Sequence, residues 1–150
     1  MAPPDGSDRV GPTELLVIEF PSGHVRMEGV ATVRDLVERD VIGVLDLRFV
    51  RRTEGGSVAP VSIADAVAGD HEDLSALGWD ATGLIGVQDL EIVGASIAEG
   101  SLAGVFLLEH TWVLPMIDRI ASSGARVVRS VRVDPAEIVA ARHRLEAEAP

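Results

Sequence analysis

Two stretches of this sequence share the same order of elements: a short apolar strand, an amphipathic helix and a second strand. They occupy residues 14–51 and 101–133. An apolar strand and an apolar helix stripe must bury each other, so two such β-α-β units restrict the chain to a sheet with helices packed on it. The order therefore predicts an α+β domain built around one sheet.

The first unit is defined by its hydrophobic periodicity. Residues 14–20, with the sequence ELLVIEF, form a short apolar run before Pro21, which predicts a buried strand. Apolar residues then recur at helical spacing from Val30 to Val37, as a helix packed by one face requires. The alternation of apolar and charged residues in 42–51 predicts the second strand.

The second unit repeats this order and leads into a C-terminal helix. Residues 101–109 form an apolar strand, and 111–123 form a helix that Gly124 ends. Residues 126–133 have the period of a strand, and their arginines are typical of a partly exposed position. Asp134 is the predicted N-cap of the last helix.

The residues between the two units add a strand and a helical insert. The turn at 52–56 leads into a third strand at 58–63, where Pro60 cannot donate a ladder hydrogen bond and so indicates a sheet edge. Residues 64–100 are predicted to form an insert of two short helices, the second of which ends at Gly100.

Together these elements predict a ferredoxin-like sandwich with an extra hairpin strand, a helical insert and a C-terminal helix. A single domain at residues 13–148 would follow a tail at 1–12. We expect the first strands of the two units to be central, parallel neighbours, with helices on one face of the sheet only. Since these strands are apolar on both faces, the other face needs a cover: a second copy of the protein, or the insert together with the C-terminal helix.

The composition excludes several classes of function. The chain has 24 acidic and 13 basic residues and a net charge of −11, and its bases are scattered, which argues against a nucleic-acid partner. It has no cysteine, so disulfides, thiolate nucleophiles and iron–sulfur clusters are excluded. All 13 bases are arginine, which excludes Schiff-base and P-loop lysines. No cofactor is predicted.

The sequence also predicts a cytoplasmic location. The first 12 residues have neither the positive nor the apolar region of a signal peptide. The longest apolar runs are well short of the roughly 20 residues that a membrane-spanning helix needs. Arginine in place of lysine, with abundant alanine, valine and glycine, is typical of a GC-rich genome and favours an actinobacterial source.

Several short sequence motifs resemble those of an actinobacterial family of small cytoplasmic proteins of unknown function. They include Val17-Ile18-Glu19-Phe20-Pro21, Leu36-Val37-Glu38-Arg39 before Leu45-Asp46-Leu47, Glu99-Gly100-Ser101, and Glu109 with Thr111-Trp112. A more distant similarity is to a bacterial family of membrane-associated proteins with a Gly-rich middle. The chain departs from that family at residues 65–80, which are acidic, and this argues against a membrane role. Both resemblances imply an architecture but no activity.

One cluster of side chains is a candidate ligand site, at the C-terminal ends of the expected central strands. It consists of Glu19, His24, Glu109 and His110. Strand ends are common ligand positions in open α/β sheets, where carboxylates and imidazoles can hold a metal or exchange protons. The alternative is that the acids pair with arginines or cap helices while the histidines lie at the surface. Since no HExxH spacing is present, no metal site is predicted.

Two further features have alternative interpretations. Trp112 is either the anchor of a binding loop or a side chain packed against the sheet edge at a helix start. Residues 70–73, with the sequence DHED, suggest metal ligands, but consecutive acids are also typical of a capped helix start. No GxSxG elbow and no GxGxxG loop occurs, so no catalytic residue is predicted.

Two functions remain open at this point. The first is a non-enzymatic, homo-oligomeric structural or interaction protein that associates through its sheet face or C-terminal helix. The second is a small-ligand or metal-binding protein, with or without enzymatic activity, whose site includes Glu19, His24, Glu109, His110 and Trp112.

Overall fold

A computed structural model of the protein describes residues 10–67 and 82–150. The described strands are β1 (Thr13–Phe20), β2 (Gly43–Arg52), β3 (Val58–Val61) and β4 (Leu102–Glu109). The described helices are α1 (Met27–Glu38), α2 (Ile63–Ala66), α3 (Val87–Ser96), α4 (Val113–Ala121) and α5 (Pro135–Glu148). The acidic residues 70–73 and most of the middle of the predicted insert lie outside the described residues.

The four strands form one open sheet in the order β1-β4-β2-β3, and every pair of neighbours is antiparallel. The α1 connection joins β1 to β2, which run in the same direction with β4 between them. The expected parallel pairing of β1 with β4 is therefore wrong: Thr13 lies opposite Glu109, and Phe20 lies opposite Leu102. The period of two that identifies a strand is the same in both directions, so the sequence pattern does not specify direction.

The predicted last strand is also wrong in this structure. Residues 126–133 form neither helix nor strand, so their alternating pattern has no ladder. Within the described residues, β1 is consequently an edge strand. The protein is a mixed α+β fold with an antiparallel sheet, and this strand order does not confirm a ferredoxin-like arrangement.

Several local predictions are confirmed. Pro60 lies on β3, which is an edge strand, and it pairs with Val50 of β2. Helix α1 contains the predicted apolar positions from Val30 to Val37. Helix α5 begins after Asp134, whose carboxylate accepts a hydrogen bond from the N–H of Ala136 at 2.9 Å.

Helices cover both faces of the sheet, so the expectation that one face has none is wrong. On one face, Val30 of α1 packs in a cluster with Phe49 and Phe106, whose rings meet edge to face at 6.3 Å between centroids. On the other face, Leu90 of α3 packs in a second cluster with Val105 of β4. Helix α3 belongs to the predicted insert, so this face has part of the second predicted cover, which was the insert together with the C-terminal helix.

Helix α3 approaches the sheet closely because of a glycine. A Cβ atom built on Gly94 would lie 2.3 Å from Cγ1 of Val58 on β3, well inside van der Waals contact. Any side chain at this position would push α3 away from the sheet.

The chain divides into two compact units, Met1–Met116 and Ile117–Pro150. The first contains the sheet, α1, α2 and α3. The second contains the end of α4, the irregular residues 125–134 and α5. None of the helices described here is long and apolar enough to cross a membrane.

Candidate functional site

One end of the sheet contains Glu109, the last residue of β4. Its side chain is only 9% exposed, and its Oε2 atom accepts a hydrogen bond from the N–H of Gly11 at 2.7 Å. Gly43 lies on the other side of the carboxylate, where an added Cβ would be 3.6 Å from Oε1. Glu109 is therefore enclosed by backbone from two segments, and its carboxylate holds the residue before β1 against the end of β4.

His110 and Trp112 lie beside Glu109 at the same end. The imidazole Nε2 of His110 is 3.2 Å from Oε2 of Glu14, so the two form an ion pair when the histidine is protonated. The N–H of His110 also donates to the carbonyl of Pro12 at 2.8 Å. Trp112 is half-exposed at the start of α4, at 51%. These contacts fasten the start of β1 to the end of β4.

Glu19 and His24 lie at the opposite end of the sheet. Glu19 pairs with Ala103, at the start of β4, six residues along β1 from Thr13, the partner of Glu109. At about 3.4 Å per residue the two glutamates are roughly 20 Å apart. Glu19 accepts a hydrogen bond from the N–H of Ala98 at 2.8 Å, and His24 is exposed.

The antiparallel pairing therefore separates the candidate site residues into two groups. Glu109, His110 and Trp112 meet at one end, while Glu19 and His24 lie at the other. A metal ion with ligand bonds of about 2 Å cannot be shared across that distance. Nowhere in the described part of the chain do three or more histidine, aspartate or glutamate side chains form a group that could hold a metal.

Sequence reasoning missed Asp46, the most thoroughly buried acid of the described residues, which is 1% exposed in the middle of β2. Its carboxylate accepts hydrogen bonds from three backbone N–H groups: those of Leu47 at 3.0 Å, Thr82 at 2.9 Å and Ile85 at 2.7 Å. Burial by itself raises the pKa of Asp46, but these N–H groups more than offset it and hold the pKa below its usual value of 3.8. A lone aspartate within an apolar strand was the available signal.

The role of Asp46 is structural, because its carboxylate is held by three backbone N–H groups and by the side chain of Thr82. It lies next to a β-bulge at which the register between β2 and β4 shifts. From there it holds the loop that leads into α3. Farther along β2, Arg52 donates to the carbonyl of Ile97 at 2.9 Å, just beyond the end of α3. Strand β2 thus fastens both ends of α3 to the sheet.

Arg51 performs the equivalent role for the segment before α1. Its guanidinium donates to the carbonyl of Gly23 at 2.8 Å. Gly23 has a φ of +88°, a left-handed conformation that glycine adopts without strain. The turn between β1 and α1 is therefore fixed from β2 as well.

Two cavities among the described residues offer little catalytic chemistry. A cleft of about 640 Å³ is lined by residues 47–49 and 60–64, of which only Arg48 and Ser62 have polar side chains. The hydroxyl of Ser62 already accepts the N–H of Asp65 as the N-cap of α2. An apolar cavity of about 30 Å³ beneath α1 has roughly the volume of one water molecule.

Strand β1 has exposed apolar side chains on both faces of the sheet. Leu15 and Val17 are 46% and 42% exposed on the face that α3 covers elsewhere, and Ile18 is exposed on the other face. Among the described residues, β1 pairs with β4 alone, so the backbone groups on its outer side have no strand partner. Apolar edge strands of this length are sites at which another strand adds.

A family model matches residues 9–147, which is nearly the whole chain, and its description is "Family of unknown function (DUF6325)". The chain belongs to this family. The predicted membership of a family of unknown function is thereby confirmed, whereas its actinobacterial range and its membrane-associated relatives stay predictions. Comparisons with curated proteins and with solved structures found no match.

Proposed function

We propose that this DUF6325 member is a non-enzymatic protein that associates with itself, and that the outer edge of β1 is its assembly surface. The observation that carries the proposal is the exposure of Leu15 and Val17 on a strand whose neighbour β4 is almost entirely buried. Removing such side chains from water stabilises an assembly by about 25 cal/mol per Å² of apolar surface.

The position of α3 supports this location, because α3 covers the other strands on the same face of the sheet. Helix α3 contacts β2, β3 and β4 on the second face of the sheet. The apolar surface still exposed on that face is therefore concentrated at β1. A partner strand there would shield both the side chains and the outward N–H and C=O groups of the strand.

The ferredoxin-like order is part of the same proposal. In this interpretation a fifth strand lies beside β1 in the assembly, and the sheet order becomes fifth strand, β1, β4, β2, β3. In this order β1 and β4 are central neighbours, as the ferredoxin-like prediction placed them, although they are antiparallel, and β3 is the extra hairpin strand. We also place the protein in a bacterial cytoplasm, without a nucleic-acid partner, on the composition and the net charge of −11.

Light scattering coupled to size-exclusion chromatography tests the assembly. The full chain at micromolar concentration is expected to have twice the mass of one chain or more. Val17→Asp is expected to shift it to the mass of one chain, because a charge would enter the contact. Val87→Asp makes the same change at an exposed position on α3 and is expected to leave the mass unchanged. A wild-type protein with the mass of one chain contradicts the proposal.

A small-ligand site is a second candidate, favoured by the half-exposed Trp112 beside the His110–Glu14 pair. A ligand that binds only the folded protein there would raise the melting temperature, and the rise would grow with the logarithm of the ligand concentration above its Kd. A metabolite and metal panel is therefore measured by thermal shift on the wild type and on Trp112→Ala. A ligand that stabilises only the wild type supports this candidate, and no shift across the panel favours assembly alone.

A further inference from the structure

We infer that the strand added to β1 is residues 126–133 of a second copy of this chain, and that two copies exchange these segments reciprocally. The inference rests on the proposed self-association and names its contact. It starts from two observations made separately. Among residues 10–67 and 82–150, no strand pairs with the outer side of β1, and residues 126–133 have a strand pattern but no ladder.

The two segments match in length. β1 has eight residues, and so does the segment 126–133. An extended segment that adds to an open sheet edge forms main-chain hydrogen bonds along its whole length, and its alternate side chains select the register. The segment lies between α4, which ends at Ala121, and α5, which begins at Pro135.

One antiparallel register matches the exposed apolar side chains of the two segments. Val131 and Val133 of the segment are exposed, as are Leu15 and Val17 of β1. The register that opposes apolar to apolar and acid to base on one face contains these pairs: Leu15 with Val133, Val17 with Val131, and Glu19 with Arg129. Cross-strand pairs of both kinds stabilise a sheet.

Charge argues against the simplest alternative, in which β1 pairs with β1 of the second copy. An antiparallel pairing centred on the strand would place Glu14 opposite Glu19, and like charges directly opposite each other destabilise a sheet. Residues 126–133 carry three arginines and no acid. The acidic edge and the arginine-rich segment are therefore complementary, in a chain whose net charge of −11 otherwise disfavours self-association.

Reciprocal exchange also limits the assembly to two copies. Each copy supplies one segment and one edge, so a two-fold dimer uses both and leaves no further β1 edge for growth. An exchange in one direction only would leave a free edge and a free segment at the ends of every oligomer. We therefore expect a dimer rather than a series of larger species.

Disulfide trapping tests the contact, because the chain has no cysteine of its own. Opposite side chains in an antiparallel pair have Cβ atoms about 5 Å apart, within reach of a disulfide. In the variant Val17→Cys/Val131→Cys, mild oxidation is expected to give a covalent dimer in intact-mass analysis. The single variants Val17→Cys and Val131→Cys are the controls and are expected to give none.

The other outcomes overturn the inference. A disulfide within one chain would show that the segment pairs with its own β1, and a covalent dimer of Val17→Cys alone would show pairing of β1 with β1. Absence of any disulfide in a protein that light scattering finds to be a dimer would overturn this contact while leaving self-association intact. A monomer in light scattering would overturn both.

A charge variant tests the same contact without cysteine. Arg129→Glu places an acid opposite Glu19 and is expected to weaken dimerisation by roughly tenfold, from the cross-strand energies of an attractive and a repulsive pair. Arg144→Glu on α5 makes the same charge change at an exposed position outside the segment and is the control. Equal dimer dissociation constants for these two variants would overturn the inference.

Discussion

Strands β1 and β2 are the two neighbours of β4. They differ in how much of each strand is buried and in how many polar contacts each makes to the surrounding helices and loops. β2 fastens a helix or loop at three places, through Asp46, Arg51 and Arg52. β1 is fastened mainly at its ends, by the His110–Glu14 pair and by Glu19, and its central side chains are half-exposed. Apolar strands alone therefore did not determine which part of this sheet is covered by helices. The polar contacts from β2 position the helices.

The largest expected effect comes from removing the central contact of β2. Asp46→Ala leaves three N–H groups without their acceptor and is expected to lower the free energy of unfolding by about 3 kcal/mol. Chemical denaturation measures the loss. Glu91→Ala removes an exposed acid from α3 and serves as the control, with an expected change within about 0.5 kcal/mol. Equal stabilities of the two variants would show that β2 does not hold α3 in this way.

A second variant tests the close approach of α3 to the sheet. Gly94→Ala is expected to lower the free energy of unfolding by about 2 kcal/mol, because its Cβ overlaps Val58. Gly29→Ala on α1 is the matched control: its Cβ would lie 3.7 Å from Val25, an ordinary contact. The control is expected to stabilise the protein by about 0.5–1 kcal/mol through helix propensity. If Gly94→Ala also stabilises, α3 is not packed against β3 as described.

The smallest expected effect is a dependence of the free energy of unfolding on pH in the acidic range. The folded-state pKa of Asp46 is lower than its value in the unfolded chain, so its contribution is present above that unfolded value. The contribution is lost as the pH falls from the usual pKa value of 3.8 through the lower folded pKa. Denaturation midpoints measured between pH 6 and pH 2 are expected to fall more steeply for the wild type than for Asp46→Asn. Parallel curves would contradict this assignment.

The sequence predicted the features that depend on local chemistry. Pro60 identified an edge strand because it lacks an N–H, and Asp134 identified a helix start because its side chain caps one. The two apolar runs that became β1 and β4 were recognised from composition and length. Each of these features is determined by residues within a few positions of one another.

The features that the sequence did not predict depend on distant residues. The direction of β4 beside β1 depends on where the chain enters the sheet, and an alternating pattern is compatible with either direction. Reversal of that direction separated Glu19 from Glu109. Asp46 obtains two of its three donors from Thr82 and Ile85, which are more than 30 residues away. Local periodicity contains no information about such partners.

Amide hydrogen exchange, measured residue by residue over Thr13–Phe20, tests the central claim most directly, because an antiparallel strand directs alternate N–H groups toward its two neighbours. The inward amides bond to β4, and the outward ones face the proposed assembly surface. The account predicts that the outward amides exchange rapidly in dilute protein and become protected as the concentration rises, while β2 does not change. Outward amides that exchange at the same rate at every concentration would contradict it.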